Sequence, residues 1–238
     1  DSTPTPPKFL KSFEDTLKET NSETILSLEK ELEKKLYKEP SNTEYLKQYA
    51  EIQNYMGYLE NALTLYYQYL AMVPDDVSVM ARIGEIHRRL HQYQKCIDIL
   101  EKAHHLFPKN QFIIANLANA YRSVKRYSDA TELLNKGLDS NPDNSQILIQ
   151  LAQCYNKQSQ PEKGEEIIRK QLFLTPEHIP SLIVLTESLL LQSRYIDAEA
   201  FINKAEQLDK KKKKYSTTIK KLKAVVLKNY SQRILHES

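Results

Sequence analysis

Tryptophan is absent, glycine occurs four times in 238 residues and cysteine twice. Glycine usually makes up about 7% of a chain. So little of it, beside abundant Leu, Lys, Glu, Ala and Gln, suits helices joined by short turns and argues against sheets. Cys96 and Cys154 form no CxxC or other metal-ligand spacing. Each falls inside a helical pattern, where a free Cys acts as a small hydrophobe; a disulfide is the alternative. No charge of one sign dominates, with 34 basic against 31 acidic side chains. Any case for nucleic acid or membrane must therefore come from a local patch. Long apolar runs are missing as well. The most apolar stretch, Leu182 to Leu191, is too short to span a bilayer and includes Thr186 and Glu187. The chain opens DSTPTPPKFL, without Met or a signal-type apolar core, as a fragment or a processed chain would. The expectation is a soluble protein, with the cytoplasm as the favoured compartment.

The signatures of chemistry are missing too. There is no P-loop, GxGxxG, GxSxG or HExxH. His87 and His91 lie four apart on one helix, a spacing able to hold a metal. No Cys or carboxylate cluster accompanies them, so a packing histidine and a turn histidine are the better account. No pair of carboxylates is marked out as an acid/base couple. The chain is expected to be neither an enzyme nor a cofactor or metal carrier.

What is present is a period. Prolines stand at Pro40, Pro74, Pro108, Pro142 and Pro176, every step 34 residues. With prolines at 10 in 238, four successive hits have a chance on the order of a few in a million. Taking the proline as position 32 sets units at 43–76, 77–110, 111–144, 145–178 and 179–212, the last with Lys210 in place of proline. Position 8 reads Ala50, Gly84, Ala118, Ala152, Thr186, and position 20 reads Ala62, Cys96, Ala130, Gly164, Ala198. Small residues in both columns are what two closely approaching helices need. Large apolar residues fill position 4 (Leu46, Met80, Ile114, Leu148, Leu182), position 7 (Tyr49, Ile83, Leu117, Leu151, Leu185) and position 24 (Tyr66, Leu100, Leu134, Ile168, Ile202). Each proline ends a second helix, and the turn formers after it open the next first helix.

In period, small-residue columns and proline placement the chain resembles the tetratricopeptide repeat family. Tyr127 to Asn144, YSDATELLNKGLDSNPDN, is the nearest single match. Departures are Tyr69 and Gln171 at the usually small position 27, and Pro161 at the usually aromatic position 17. The resemblance implies an all-α fold, a right-handed α-solenoid of tandem hairpins with a concave groove lined by the first helix of each. One hairpin cannot bury its own apolar face, so the units must stack.

The ends depart from the pattern. Residues 1–8, with Pro4, Pro6 and Pro7, are expected to be extended or disordered. Residues 9–42 read as a degenerate repeat or cap: Phe9, Leu10, Phe13 and Leu17 mark one helix, and Ile25, Leu28, Leu32 and Leu36 a second. Thr16 and Leu32 suit their positions, whereas Ser12, Asp15 and Leu28 do not. Residues 213–238 read as a basic amphipathic capping helix marked by Tyr215, Ile219, Leu222, Val226 and Ile234. The run Lys210 to Lys214 is either a solvated face or a contact for acidic lipid or an acidic partner. Nucleic acid binding is not expected, since no nucleic-acid motif or interleaved aromatics accompany the lysines.

Family ligands are usually extended peptides or partner helices on positions 2, 5, 6, 9, 12 and 13 of the first helices. The resemblance thus points to Arg82, Asn116 and Gln150 at position 6, Asn119 and Gln153 at position 9, Arg88, Arg122 and Asn156 at position 12, and Arg89 at position 13. Side-chain amides donate and accept together, so a ladder of them can hold a peptide backbone without reading its sequence. The arginines add attraction for acidic side chains or a carboxylate. The plain alternative is that exposed helix faces simply are polar. The carboxylate clamp of the chaperone-binding subset is not matched: Lys47 is followed by Glu51, Arg82, Phe112 and Asn116, and the next triplet offers Ala81 and Glu85. The expected function is a protein–protein interaction scaffold that takes a peptide or partner protein. The alternatives are a targeting or regulatory segment of a larger enzyme, or a self-associating scaffold.

Overall fold

A computed structural model describes residues 13–237. The expectations for residues 1–8, and for Phe9, Leu10 and Ser12, lie outside them, as do those for the Asp15 and Ile234 side chains. The described residues form thirteen α-helices and no strand. They divide into two compact units, the boundary falling between Leu106 and Phe107.

In the first unit, α1 (Phe13–Glu19) and α2 (Ser22–Lys38) precede two hairpins, α3 (Thr43–Met56) with α4 (Leu59–Met72) and α5 (Val77–Arg89) with α6 (Tyr93–Leu106). α1 and α2 pack on α3, closing a small core of Leu17, Ile25, Leu32 and Ile52. In the second unit the hairpins are α7 (Gln111–Ser123) with α8 (Tyr127–Ser140), α9 (Ser145–Lys157) with α10 (Pro161–Leu174), and α11 (Ile179–Leu191) with α12 (Tyr195–Asp209). A final helix, α13 (Ser216–Glu237), packs on α12 and α11. It buries Ile219 and Val226 in the same core as Leu182, Leu185, Leu189 and Ile202, as expected of a cap.

The columns explain the hairpins. Ala50, Ala118, Ala152 and Thr186 are fully buried, as are Ala62, Ala130 and Ala198. A Cβ on Gly84 would come within 2.9 Å of the Leu100 side chain, so the two helices meet there with no room to spare. The two unusual residues at position 27 are buried and bonded: Tyr69 donates to Asp76 Oδ2 at 2.8 Å, and Gln171 Nε2 to Ser145 Oγ at 2.7 Å. Pro161 opens α10 at its first turn, where the missing N–H costs nothing. Cys96 and Cys154 are free and buried, and burial pushes each thiol up to about 11.

Capping is periodic as well. Asn42, Asp76, Asn110 and Asn144 each accept backbone N–H bonds that start α3, α5, α7 and α9. Asp76 does more, because its carboxylate also takes Lys47 Nζ at 2.9 Å, Ser78 Oγ at 2.6 Å and the Tyr69 hydroxyl. Burial would raise its pKa, but those bonds outweigh it and hold the carboxyl well below the usual range. Within each hairpin the fifteenth residue is left-handed: Gly57, His91, Lys125, Ser159 and Ser193 have φ between 57° and 86°.

Candidate peptide-binding face

The candidate residues fall on both units. Arg82, Arg88 and Arg89 lie on α5 of the first, and α5 presents them already engaged. Arg88 grips Glu85 with two bonds, Nε to Oε2 at 2.9 Å and Nη2 to Oε1 at 2.7 Å. Arg89 Nη1 donates to Asn54 Oδ1 at 2.9 Å. Arg82 is half-buried. Nor do the histidines of this helix converge. His87 is buried between the Tyr67 hydroxyl at 2.9 Å and Gln92 Oε1 at 2.8 Å, and His91 sits in the turn against Tyr93. Lys47, first member of the unmatched clamp, is spent on Asp76.

The second unit carries the other six. Its first helices α7, α9 and α11 lie side by side. A helix repeats every 3.6 residues, so positions 6, 9, 12 and 13 of each share one face. Asn116 folds back on its own helix, Nδ2 donating to the Phe112 carbonyl at 2.8 Å. Asn119 and Gln153 are half-buried. Gln150 is buried, and its Oε1 has no hydrogen-bond partner among the described residues. The same holds for Arg122 Nε and Asn156 Nδ2. The other end of Asn156 is used, since Oδ1 accepts from Ser188 Oγ at 3.0 Å. Gly164 makes room for that carbonyl: a Cβ there would come within 2.7 Å of it.

Arg122, Gln153 and Asn156 come together on one cavity of about 550 Å³. Lys157 completes the polar side. Leu190 and Leu191 of α11 and Val225 of α13 give the cavity an apolar shelf, and Glu187 and Asn229 complete the lining. Burial pushes the Glu187 carboxyl up, against the opposing pull of Lys157 and Arg122. Two hydrogen-bond donors, one carboxylate and an aliphatic wall are what a peptide's carbonyl, amide and apolar side chain require.

The sequence reading did not place Lys157, Glu187, Leu190, Leu191, Val225 and Asn229 in the site. Glu187 and Leu190 stand at positions 9 and 12 of the last unit, where a carboxylate and a leucine depart from the amides and guanidinium groups that marked the face. Val225 and Asn229 lie beyond the repeats, where no column predicts them. Asn116 and Gln150 are less available than their positions suggest, since one bonds its own helix and the other is buried.

A family model described as anaphase-promoting complex, cyclosome, subunit 3 matches residues 123–205, and one described as tetratricopeptide repeat matches residues 89–146. No curated protein matches the chain. Among solved structures, a tetratricopeptide repeat protein from Parabacteroides merdae is 15% identical with a TM-score of 0.70, over 85% of this chain and 92% of that one. MamA from Desulfovibrio magneticus is 20% identical with a TM-score of 0.63, over 71% of this chain and 95% of that one. YrrB, described as a TPR protein with an unusual peptide-binding site, is 14% identical with a TM-score of 0.58, over 76% of this chain and 93% of that one. Likeness at such identities shows the fold alone. Among the described residues no helix is long and apolar enough to cross a membrane.

Proposed function

From the premise that the chain belongs to the tetratricopeptide repeat family, whose repeats support protein–protein interaction scaffolds, we propose that it binds an extended peptide on the face shared by α7, α9 and α11. The observation that carries this reading is the cavity of about 550 Å³ on which Arg122, Gln153, Asn156 and Lys157 meet Leu190, Leu191 and Val225. Side chains that donate hydrogen bonds beside an aliphatic surface suit a peptide, whose backbone groups need partners once water is displaced.

The peptide's carbonyl or carboxylate faces the Arg122 guanidinium, and Lys157 adds charge. Glu187 accepts a backbone N–H. An aliphatic side chain of the peptide lies on Leu190, Leu191 and Val225, and Asn119 and Gln153 continue the hydrogen bonding along the backbone. This arrangement favours a segment with an acidic or carbonyl-rich residue next to an aliphatic one. Arg82, Arg88 and Arg89 of the expected set fall outside it, and the side-chain donors of Arg88 and Arg89 are already engaged.

A peptide array probed with the purified chain tests the reading. Arg122→Gln together with Gln153→Ala should weaken binding to the selected peptides at least about tenfold, the loss of one good charge-assisted bond. The helical circular dichroism should not change. Peptides that bind the double variant as tightly as the parent would place the ligand elsewhere.

A further inference from the structure

We infer that the exposed lysines between Lys210 and Lys228 form a docking face for an anionic lipid surface, built from other side chains than the Val225 and Asn229 that line the peptide face. Between residues 210 and 230 there are nine lysines and no acidic residue. Setting these nine aside leaves 25 basic against 31 acidic side chains, so the rest of the chain is net negative.

The lysines are displayed and held in place. Lys223 is consumed by an ion pair with Glu206 at 2.7 Å, and Lys210 and Lys220 lie close enough to that carboxylate to help hold it below its usual range. Lys211, Lys212, Lys213, Lys214, Lys221 and Lys228 are exposed, with no carboxylate partner among the described residues. The turn that carries the first of them is pinned. The Lys213 N–H donates to the Asp209 carbonyl at 2.8 Å, and the Tyr215 N–H to the buried Asp209 carboxylate at 3.0 Å. Ile219 and Val226 fix one side of α13 in the core. The opposite stripe, by helical period, is Lys220, Lys221, Ala224, Leu227 and Lys228, all exposed.

That stripe has the chemistry of a membrane surface ligand. Lysine ammonium groups are compact point charges that suit a field of lipid phosphates and carboxylates, and their aliphatic stems let an apolar neighbour sink between them. Leu227, 52% exposed in the middle of the stripe, is that neighbour. Nucleic acid readers use arginine forks, amides and stacking aromatics, and the stripe has none of these.

The full chain is sedimented with vesicles of phosphatidylcholine alone and with about 30% phosphatidylserine, at about 0.1 M and about 0.5 M salt. The expected result is binding to the anionic vesicles only, falling at least about tenfold at the higher salt. Each exposed lysine removed should lower partitioning about fivefold, so Lys211→Ala, Lys221→Ala and Lys228→Ala together should lower it about a hundredfold. Leu227→Ser should lower binding to the anionic vesicles while peptide binding and circular dichroism stay as in the parent. Equal binding to neutral vesicles, no binding at low salt, or tighter binding to a single-stranded or duplex oligonucleotide than to the anionic vesicles would overturn the inference. So would light scattering that shows the patch occupied by a second copy, dispersed by the lysine variant.

Discussion

At the scale of single residues, the turns inside the hairpins show what packing can force on a backbone. The fifteenth residue of every unit is left-handed, yet only the first of the five, Gly57, is a glycine. In each turn the N–H of the next residue reaches back to a carbonyl five residues earlier, as Gln160 N does to Tyr155 O at 2.9 Å and Arg194 N to Leu189 O at 2.9 Å. Those bonds close the helix end and hold His91, Lys125, Ser159 and Ser193 in a conformation that costs an ordinary residue about 1–2 kcal/mol. Ser159 is exposed, and its side chain makes no hydrogen bond among the described residues. Ser159→Gly should therefore stabilise the protein by about 0.5–1 kcal/mol, part of the gain being offset by glycine's greater freedom when unfolded. Urea unfolding at neutral pH measures it, and a variant less stable than the parent would show that the left-handed turn carries little strain. These positions were not legible in the sequence, because only one of five has the residue that normally marks such a turn.

At the scale of elements, neighbouring hairpins are locked by a polar clamp as well as by their apolar columns. Glu165 on α10 accepts from Arg169 at 2.7 Å on its own helix, from Gln192 at 2.8 Å, and from Arg194 Nη1 at 2.8 and 2.9 Å in the turn before α12. Burial raises its pKa, but the bonds from Arg169, Gln192 and Arg194 outweigh that, and the carboxyl sits below its usual range. The folded protein thus binds this proton more weakly than the unfolded chain does. Its stabilising contribution is present above the unfolded pKa, near 4.3, and is lost as pH falls through the folded value. Glu165→Gln should cost about 1–2 kcal/mol at pH 7, discounted because both arginines are partly exposed, and the gap to the parent should close in acid. A gap that stays constant from pH 7 to about pH 3 would mean that the carboxylate charge contributes nothing. Helix identity was readable from the 34-residue period, because sterics leave few residues that fit positions 8, 20 and 32. The clamp was not readable. Long charged side chains choose partners by geometry that a column of letters does not contain.

At the scale of the whole molecule, the repeat pattern describes one uniform array, whereas the chain forms two compact units. The polar face was legible as columns of amides, but its cavity was not, since Val225 and Asn229 come from a helix outside the repeat. That helix matters to the second unit in two ways. It lines the proposed peptide site, and it completes the core through Ile219 and Val226, each 1% exposed. Arrays of this kind are stabilised by nearest-neighbour interfaces, so losing an end interface should be felt most by the hairpin beside it. Ile219→Ala removes a buried side chain at a cost of about 2–5 kcal/mol. Amide hydrogen exchange should then show α11, α12 and α13 losing protection together, by factors of about 30 or more, while α3 to α6 exchange as in the parent. Peptide affinity should fall with them, since Leu190, Leu191 and Val225 stand on the loosened helices. Equal loss of protection in α3 to α6 would show instead that all the hairpins open as a single cooperative block, and the apolar shelf would then have no special dependence on the last helix.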